Sequence, residues 1–161
     1  MDKGKGKTKC CSNPNGYKDE LGLNHAYKTG FAFEGGIEPL LSFPVKDVLW
    51  YQGESNSLEL ARVEDYRDLL HLLIDDYRQK WKQPHMPFYW VQLSYIDTTN
   101  YKSQYWPQFR DELRKLLYEV KNSGMSVCSD IGFYNDIHPA NKKEVGERLA
   151  RLALNKMYKK K

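Results

Sequence analysis

No apolar stretch among the 161 residues is long enough to cross a bilayer, which argues against a spanning helix. Cysteine is scarce: Cys10 and Cys11 are adjacent, and Cys128 stands alone in an apolar segment. No CxxC or Cys/His spacing suggests zinc, and three is an odd count for a disulfide framework. Cys128 reads as a small buried residue. The N-terminal lysines are followed by no apolar run, so the start does not read as a signal peptide. Positive charge is thin away from the ends. The net charge is +4, and Lys3, Lys5, Lys7, Lys9, Lys159, Lys160 and Lys161 carry much of it. The middle is close to neutral, so nucleic acid is a poor partner and the terminal lysines read as solvated tails. No internal repeat is visible.

What the chain does have is core-building material. Hydrophobic residues make up 40% and aromatics 14%, with four Trp and twelve Tyr, enough to pack one domain. Residues 1–30 carry Gly, Lys, Asn and Pro with little periodicity and read as an irregular, partly disordered lead-in. Residues 31–158 form the organised part, and 159–161 a basic tail.

Within that part, Phe31, Phe33, Ile37, Leu40 and Leu41 suggest a short helix after Gly35 and Gly36. Residues 45–51 read as a buried strand, and Asn56 or Ser57 can cap the helix that follows. The apolar positions of that helix, Leu60, Val63, Tyr66, Leu69, Leu70, Leu73, Ile74, Tyr77 and Trp81, recur every three or four residues. A second buried strand is expected at 88–93, followed by a polar, aromatic loop at 94–104. A helix at 106–120 has Pro107 in its first turn, and Asn122-Ser123-Gly124 supplies its stop. A third strand is expected at 125–129, a loop at 130–138, and a last helix from Pro139 to about Tyr158 with Val145, Leu149, Leu152 and Leu154 inward. Strand followed by helix, three times, argues for a parallel sheet covered on both faces.

Chemistry concentrates in two strand-to-helix loops. In the first, Gln52, Gly53 and Asn56 offer backbone and side-chain N–H donors of the kind that stabilise an oxyanion. The same residues also suit an ordinary turn with a polar cap. In the second, Asp136 stands two residues before His138. A carboxylate there can orient an imidazole acting as general base, but an exposed His beside a helix-capping Asp has the same spacing. His25, His71 and His85 have no such setting.

The run Phe43-Pro44-Val45-Lys46-Asp47-Val48-Leu49-Trp50-Tyr51-Gln52-Gly53-Glu54-Ser55-Asn56 resembles the sialate O-acetylesterase family, a carbohydrate-esterase branch of the SGNH hydrolases. The blocks 66–70 through Trp81, 87–93, and Asp136-Ile137-His138-Pro139-Ala140-Asn141-Lys142-Lys143-Glu144-Val145-Gly146 resemble it in the same order. The resemblance runs over about residues 31–158. It implies a flavodoxin-like three-layer α/β/α SGNH-hydrolase fold, incomplete here, with about three parallel strands and helices on both faces. It also implies a serine esterase that removes acetyl groups from sugars, sialic acid among them, with no metal or organic cofactor. His138 would be the base and Asp136 its partner. Gln52 and Gly53 would serve the oxyanion hole, with Glu54 and Asn56 shaping the loop.

The family's nucleophile lies in a Gly-Gln-Ser-Asn type motif, and no such motif precedes residue 50. The chain therefore resembles the C-terminal part of the family's catalytic domain. Ser55, in Gly53-Glu54-Ser55-Asn56, is an alternative nucleophile, although its flanks match the oxyanion block. The competing reading is a non-catalytic or inactive module in which Tyr95, Tyr101, Tyr105 and Trp106 stack on sugars; the same aromatics also suit a packed surface loop. A sheet lacking its first strands would expose an edge and favour a homo-oligomer or pairing with a complementary half. The family's usual setting implies export to the periplasm, the exterior or the lysosome.

Overall fold

The computed structural model describes residues 30–97, 99 and 104–159. Residues 1–29 of the lead-in expected at 1–30, Tyr101 and the last two lysines lie outside the described residues. The chain divides into two units, 1–42 and 43–161. In the first, a π-helical turn at Phe33–Ile37 runs into a 3₁₀ turn at Glu38–Leu40. The helix therefore passes through Gly35 and Gly36 rather than starting after them.

The second unit holds one sheet of three parallel strands in the order β1 (Val48–Trp50), β2 (Phe88–Gln92) and β3 (Ser123–Val127). Val48 pairs with Phe88, and Phe88 with Ser123. Helices α1 (Leu60–Lys80) and α2 (Trp106–Glu119) pack together, and α3 (Lys142–Tyr158) packs on β2 and β3. Alternation along β2 feeds two cores. Phe88 meets Tyr77 of α1, and Trp90 donates its indole N–H to the Leu113 carbonyl of α2 at 3.1 Å. Tyr89 and Val91 point the other way and join Cys128, Ile131, Val145, Leu149 and Ala153. Helices thus cover both faces, as expected.

Only the central strand is buried along its whole length. The strand expected at 45–51 shrinks to three residues, and Leu49 is 51% exposed. Among the described residues β1 pairs on one side only, and α3 sits over the other two strands.

Several boundaries also move. Asn56 and Ser57 do not cap α1; they lie inside a 3₁₀ turn at Glu54–Leu58, and extended Glu59 precedes the helix. Leu60 and Leu69 of α1 are exposed rather than inward. The strand expected at 125–129 begins at Ser123, because Asn122 takes the left-handed conformation (φ 55°) that ends the connection. Gly124 is then a strand residue, where an added Cβ would press on Tyr89 and Leu152 at 3.1–3.2 Å. The last helix starts at Lys142 rather than Pro139, because Asn141 caps it by accepting the Glu144 amide at 3.2 Å. Ala153 takes the inward position expected of Leu154, which is exposed.

Candidate active site

All three connections that leave the carboxyl ends of β1, β2 and β3 emerge at one end of the sheet, where open α/β sheets place their sites. The first carries Gln52 to Asn56 and the third Asp136 and His138.

The loop after β1 is held by its own side chains. Trp50 Nε1 donates to the Tyr66 hydroxyl at 3.3 Å, and that hydroxyl lies 3.0 Å from Gln52 Oε1 and 3.2 Å from the Gln52 carbonyl. Gln52 Nε2 then donates to Asn56 Oδ1 at 2.8 Å. Both ends of the Gln52 amide are engaged, and Asn56 is fixed by its oxygen, which leaves its Nδ2 as the donating end. Burial, with Glu54 adding to it, pushes the Tyr66 phenol up to about 12, so it stays a neutral hydrogen-bonding group. Gly53 has φ 144°, and a Cβ there would collide with the Phe109 ring. Backbone conformation and space both demand glycine. Glu54 is half-buried, and Ser55 is exposed on the 3₁₀ turn.

The loop after β3 is tied at its beginning and its end. Arg148 donates to both carboxylate oxygens of Asp130, at 2.5 and 2.7 Å, to the Val127 carbonyl at 2.9 Å, and to Glu144 at 2.8 Å. The guanidinium lowers the Asp130 carboxyl to about 2. Buried Pro139 anchors the far end. Between these points Phe133 and Asp136 pair in an antiparallel bridge. Asp136 Oδ1 accepts the backbone N–H of His138 at 2.7 Å, and both residues are exposed. Asp136 therefore shapes the turn that presents His138. Among the described residues, no hydrogen bond joins the His138 ring to Asp136 or to Ser55.

The two loops meet through Lys142, which donates to the Tyr51 hydroxyl at 3.3 Å and lies 4.4 Å from the centre of its ring. Tyr51 in turn packs on the core beneath α3. Burial first, then Glu54, raises its phenol to about 12. The Cys128 thiol is also pushed up by burial and stays protonated, which suits packing rather than nucleophilic attack.

Among the aromatics expected to stack on sugars, Trp106 is buried with its indole N–H on the Ser94 carbonyl at 2.7 Å, so it presents no face. Tyr95 is exposed and Tyr105 half-buried. His71 pairs with Asp75 at 3.3 Å on α1. Among the described residues no cluster of His, Cys, Asp and Glu could hold a metal ion, and no helix is long and apolar enough to cross a membrane.

Sequence reasoning passed over Tyr66, Lys142 and Arg148. Tyr66 reads as one more apolar position of α1. Its signal was the polar tip of a tyrosine on the buried face of a helix that directly follows a polar block.

Residues 37–155 match the family model for carbohydrate esterases of the sialic acid-specific acetylesterase type. The chain is 29% identical over 134 residues to the sialate O-acetylesterase of Mus musculus, covering 70% of this chain and 24% of that protein. It superposes on the crystal structure of a carbohydrate acetylesterase from Xanthomonas citri with a TM-score of 0.69 and 38% identity. That match covers 77% of this chain and 29% of the other. A protein from Arabidopsis thaliana superposes with a TM-score of 0.56 over 71% of this chain and 45% of its own. At 24% identity it supports the fold alone. The chain thus spans about a quarter of the length of the curated relative. With the parallel sheet and the two loops at its carboxyl end, the match over residues 37–155 identifies the chain as a member of the carbohydrate esterase family of sialic acid-specific acetylesterases.

Proposed function

We propose that this chain supplies the base and the oxyanion loop of an esterase that removes O-acetyl groups from sugars of the sialic acid type. The nucleophile in this reading is a serine outside the chain, with Ser55 the lesser alternative. The observation that carries the proposal is the Lys142–Tyr51 contact, which draws the loop of Asp136 and His138 to the loop of Gln52, Gly53 and Asn56.

His138 takes the proton of the serine hydroxyl as its oxygen attacks the acetyl carbonyl carbon. The negative charge that develops on the carbonyl oxygen is met by the Gly53 N–H and the Asn56 amide. Gln52, engaged at both ends, holds Asn56 in place. This assigns Asn56 a donor's role and Gln52 a shaping one, with Glu54 building the turn through its carbonyl. On collapse of the intermediate, His138 returns the proton to the departing sugar hydroxyl. Water then releases acetate from the acyl-serine by the same two proton transfers. Asp136 fixes the loop through the His138 amide and has its second oxygen available to the ring. No step calls for a metal or organic cofactor.

The open edge of β1 belongs to the same proposal. On the Trp50 face of that edge, a cavity of about 200 Å3 is lined by Trp50, Gln52, Asn56, Tyr66, Leu69, Leu70 and Leu73. A complementary segment or a second copy of the chain would cover it.

The test is acetate release from an O-acetylated sialic acid by a protein that carries this chain together with a nucleophilic serine. Changing His138→Ala should abolish turnover, and unchanged turnover would remove His138 from the mechanism. Labelling by a fluorophosphonate, located by mass spectrometry, identifies the serine. An adduct on Ser55 in the chain alone would show that the nucleophile lies within it.

A further inference from the structure

Three large aromatic side chains stand in solvent beside the loop of Asp136 and His138. Phe133 is 55% exposed, Tyr134 60% and Tyr95 47%. They come from two different connections that the backbone presses together. The Asp97 N–H donates to the Tyr134 carbonyl at 3.1 Å. Gly132 lies so close to the Tyr95 backbone that no side chain fits between them. Phe133 pairs across the turn with Asp136 itself. Exposed aromatic side chains carried on segments tied together by backbone contacts suit a binding surface.

We infer that Tyr95, Phe133 and Tyr134 form a stacking rim for the pyranose ring of the acetylated sugar. The inference rests on the esterase reading for its substrate class. The apolar C–H face of a sugar ring matches an aromatic face, while its hydroxyls stay in water or meet polar groups. Aromatic side chains give such contact area at low entropic cost, since they have only two rotatable bonds. The backbone pairing puts Phe133 opposite Asp136, so a ring held here sits next to the residues proposed to act on its ester. The rim would select an acetyl group carried on a sugar over the same group on a small alcohol. It differs from the set expected from sequence, since Trp106 is buried and Phe133 and Tyr134 lie on the loop after β3.

The test is saturation-transfer NMR on the 161-residue chain with the methyl glycoside of an O-acetylated sialic acid, and with ethyl acetate as the sugar-free control. Transfer to the ring protons of the glycoside and none to ethyl acetate is the expected result. The double variant Phe133→Ser/Tyr134→Ser should weaken binding roughly tenfold or more. Both side chains are exposed, so an unchanged circular dichroism melt would show the fold is kept. If the pair fails to fold, Tyr134→Ser alone carries the same expectation. No transfer in the natural chain, or equal transfer in the variants, overturns the rim. Failure of the esterase reading looks different: the sugar binds through the rim, yet a protein with this chain and its serine releases no acetate.

Discussion

Lys142 Nζ lies 4.4 Å from the centre of the Tyr51 ring and 3.3 Å from its hydroxyl, and so joins residues 91 positions apart. Tyr51 follows β1 directly, and Lys142 opens α3 just after Asp136 and His138. The contact is exposed, which limits its worth to about 0.5–1 kcal/mol. Lys142→Met should therefore lower the melting temperature by only a few degrees, as calorimetry can measure. Acetate release by the complete esterase should fall more than that small loss explains, because the contact sets the spacing of two loops. Tyr51→Phe keeps the ring under the ammonium and should recover most of the activity. Equal loss in both variants would point to the hydroxyl alone.

Gly53 is the position least able to accept another residue. Its φ of 144° is outside the range of L side chains, and Phe109 fills the space a Cβ would need. Gly53→Ala should cost about 1–3 kcal/mol or more through strain and forced repacking. Urea denaturation would register this as a lower midpoint at unchanged slope. A wild-type midpoint would mean that the loop adapts and that the turn is looser than its geometry suggests.

Acid should loosen the loop after β3 before it unfolds the sheet. Arg148 lowers the Asp130 carboxyl from 3.8 to about 2. A carboxylate with a depressed folded value adds stability that is complete above its unfolded value and is lost as pH falls through the folded one. The contribution of this pair should therefore disappear between about pH 4 and pH 2. Hydrogen exchange across 128–141 should quicken in that window. In Arg148→Met the same segment should exchange fast already at neutral pH, with no further step from Asp130.

How much of this was legible beforehand depended on how local each cause was. The period of α1 and α2 and the apolar run of β2 lie within single segments, so the parallel α/β class followed from pattern alone. The Pro107 start of α2 was also local. The start of α3 was misjudged because Pro139 and Asn141 both suit a helix start, and the cap bond to Glu144 decides between them. The exposure of Leu49 is not local at all: it depends on where α3 lands and on β1 being at an edge. For the same reason the Gln52–Asn56 and Gln52–Tyr66 bonds are out of reach of spacing arguments, although the polar block after β1 is plain in the sequence.

The β1 edge makes its own prediction. A strand paired on one side only among the described residues, with an exposed leucine, is a template for association. The 161-residue chain should sediment as more than a monomer at micromolar concentration, and Leu49→Lys, a charge on the exposed position, should shift it toward monomer. A clean monomer with a cooperative melt would show that the edge is satisfied some other way.

Asn56 and Gln52 separate the two roles within the oxyanion loop. The Gln52 amide spends its oxygen on Tyr66 and a hydrogen on Asn56, whereas the Asn56 nitrogen remains a free donor among the described residues. Removing an oxyanion donor typically costs 10²–10³ in kcat, about 3–4 kcal/mol, with little change in substrate binding. Asn56→Ala in the complete esterase should show that split. Gln52→Ala should lose less in kcat but more stability, because it removes one of the partners of the buried Tyr66 hydroxyl and frees Asn56 to move. Tyr66→Phe removes the same hydrogen bond from the other side and should resemble Gln52→Ala rather than Asn56→Ala. If instead Gln52→Ala gives the larger kcat loss at wild-type stability, Gln52 is the donor and its observed bonds must break when substrate binds.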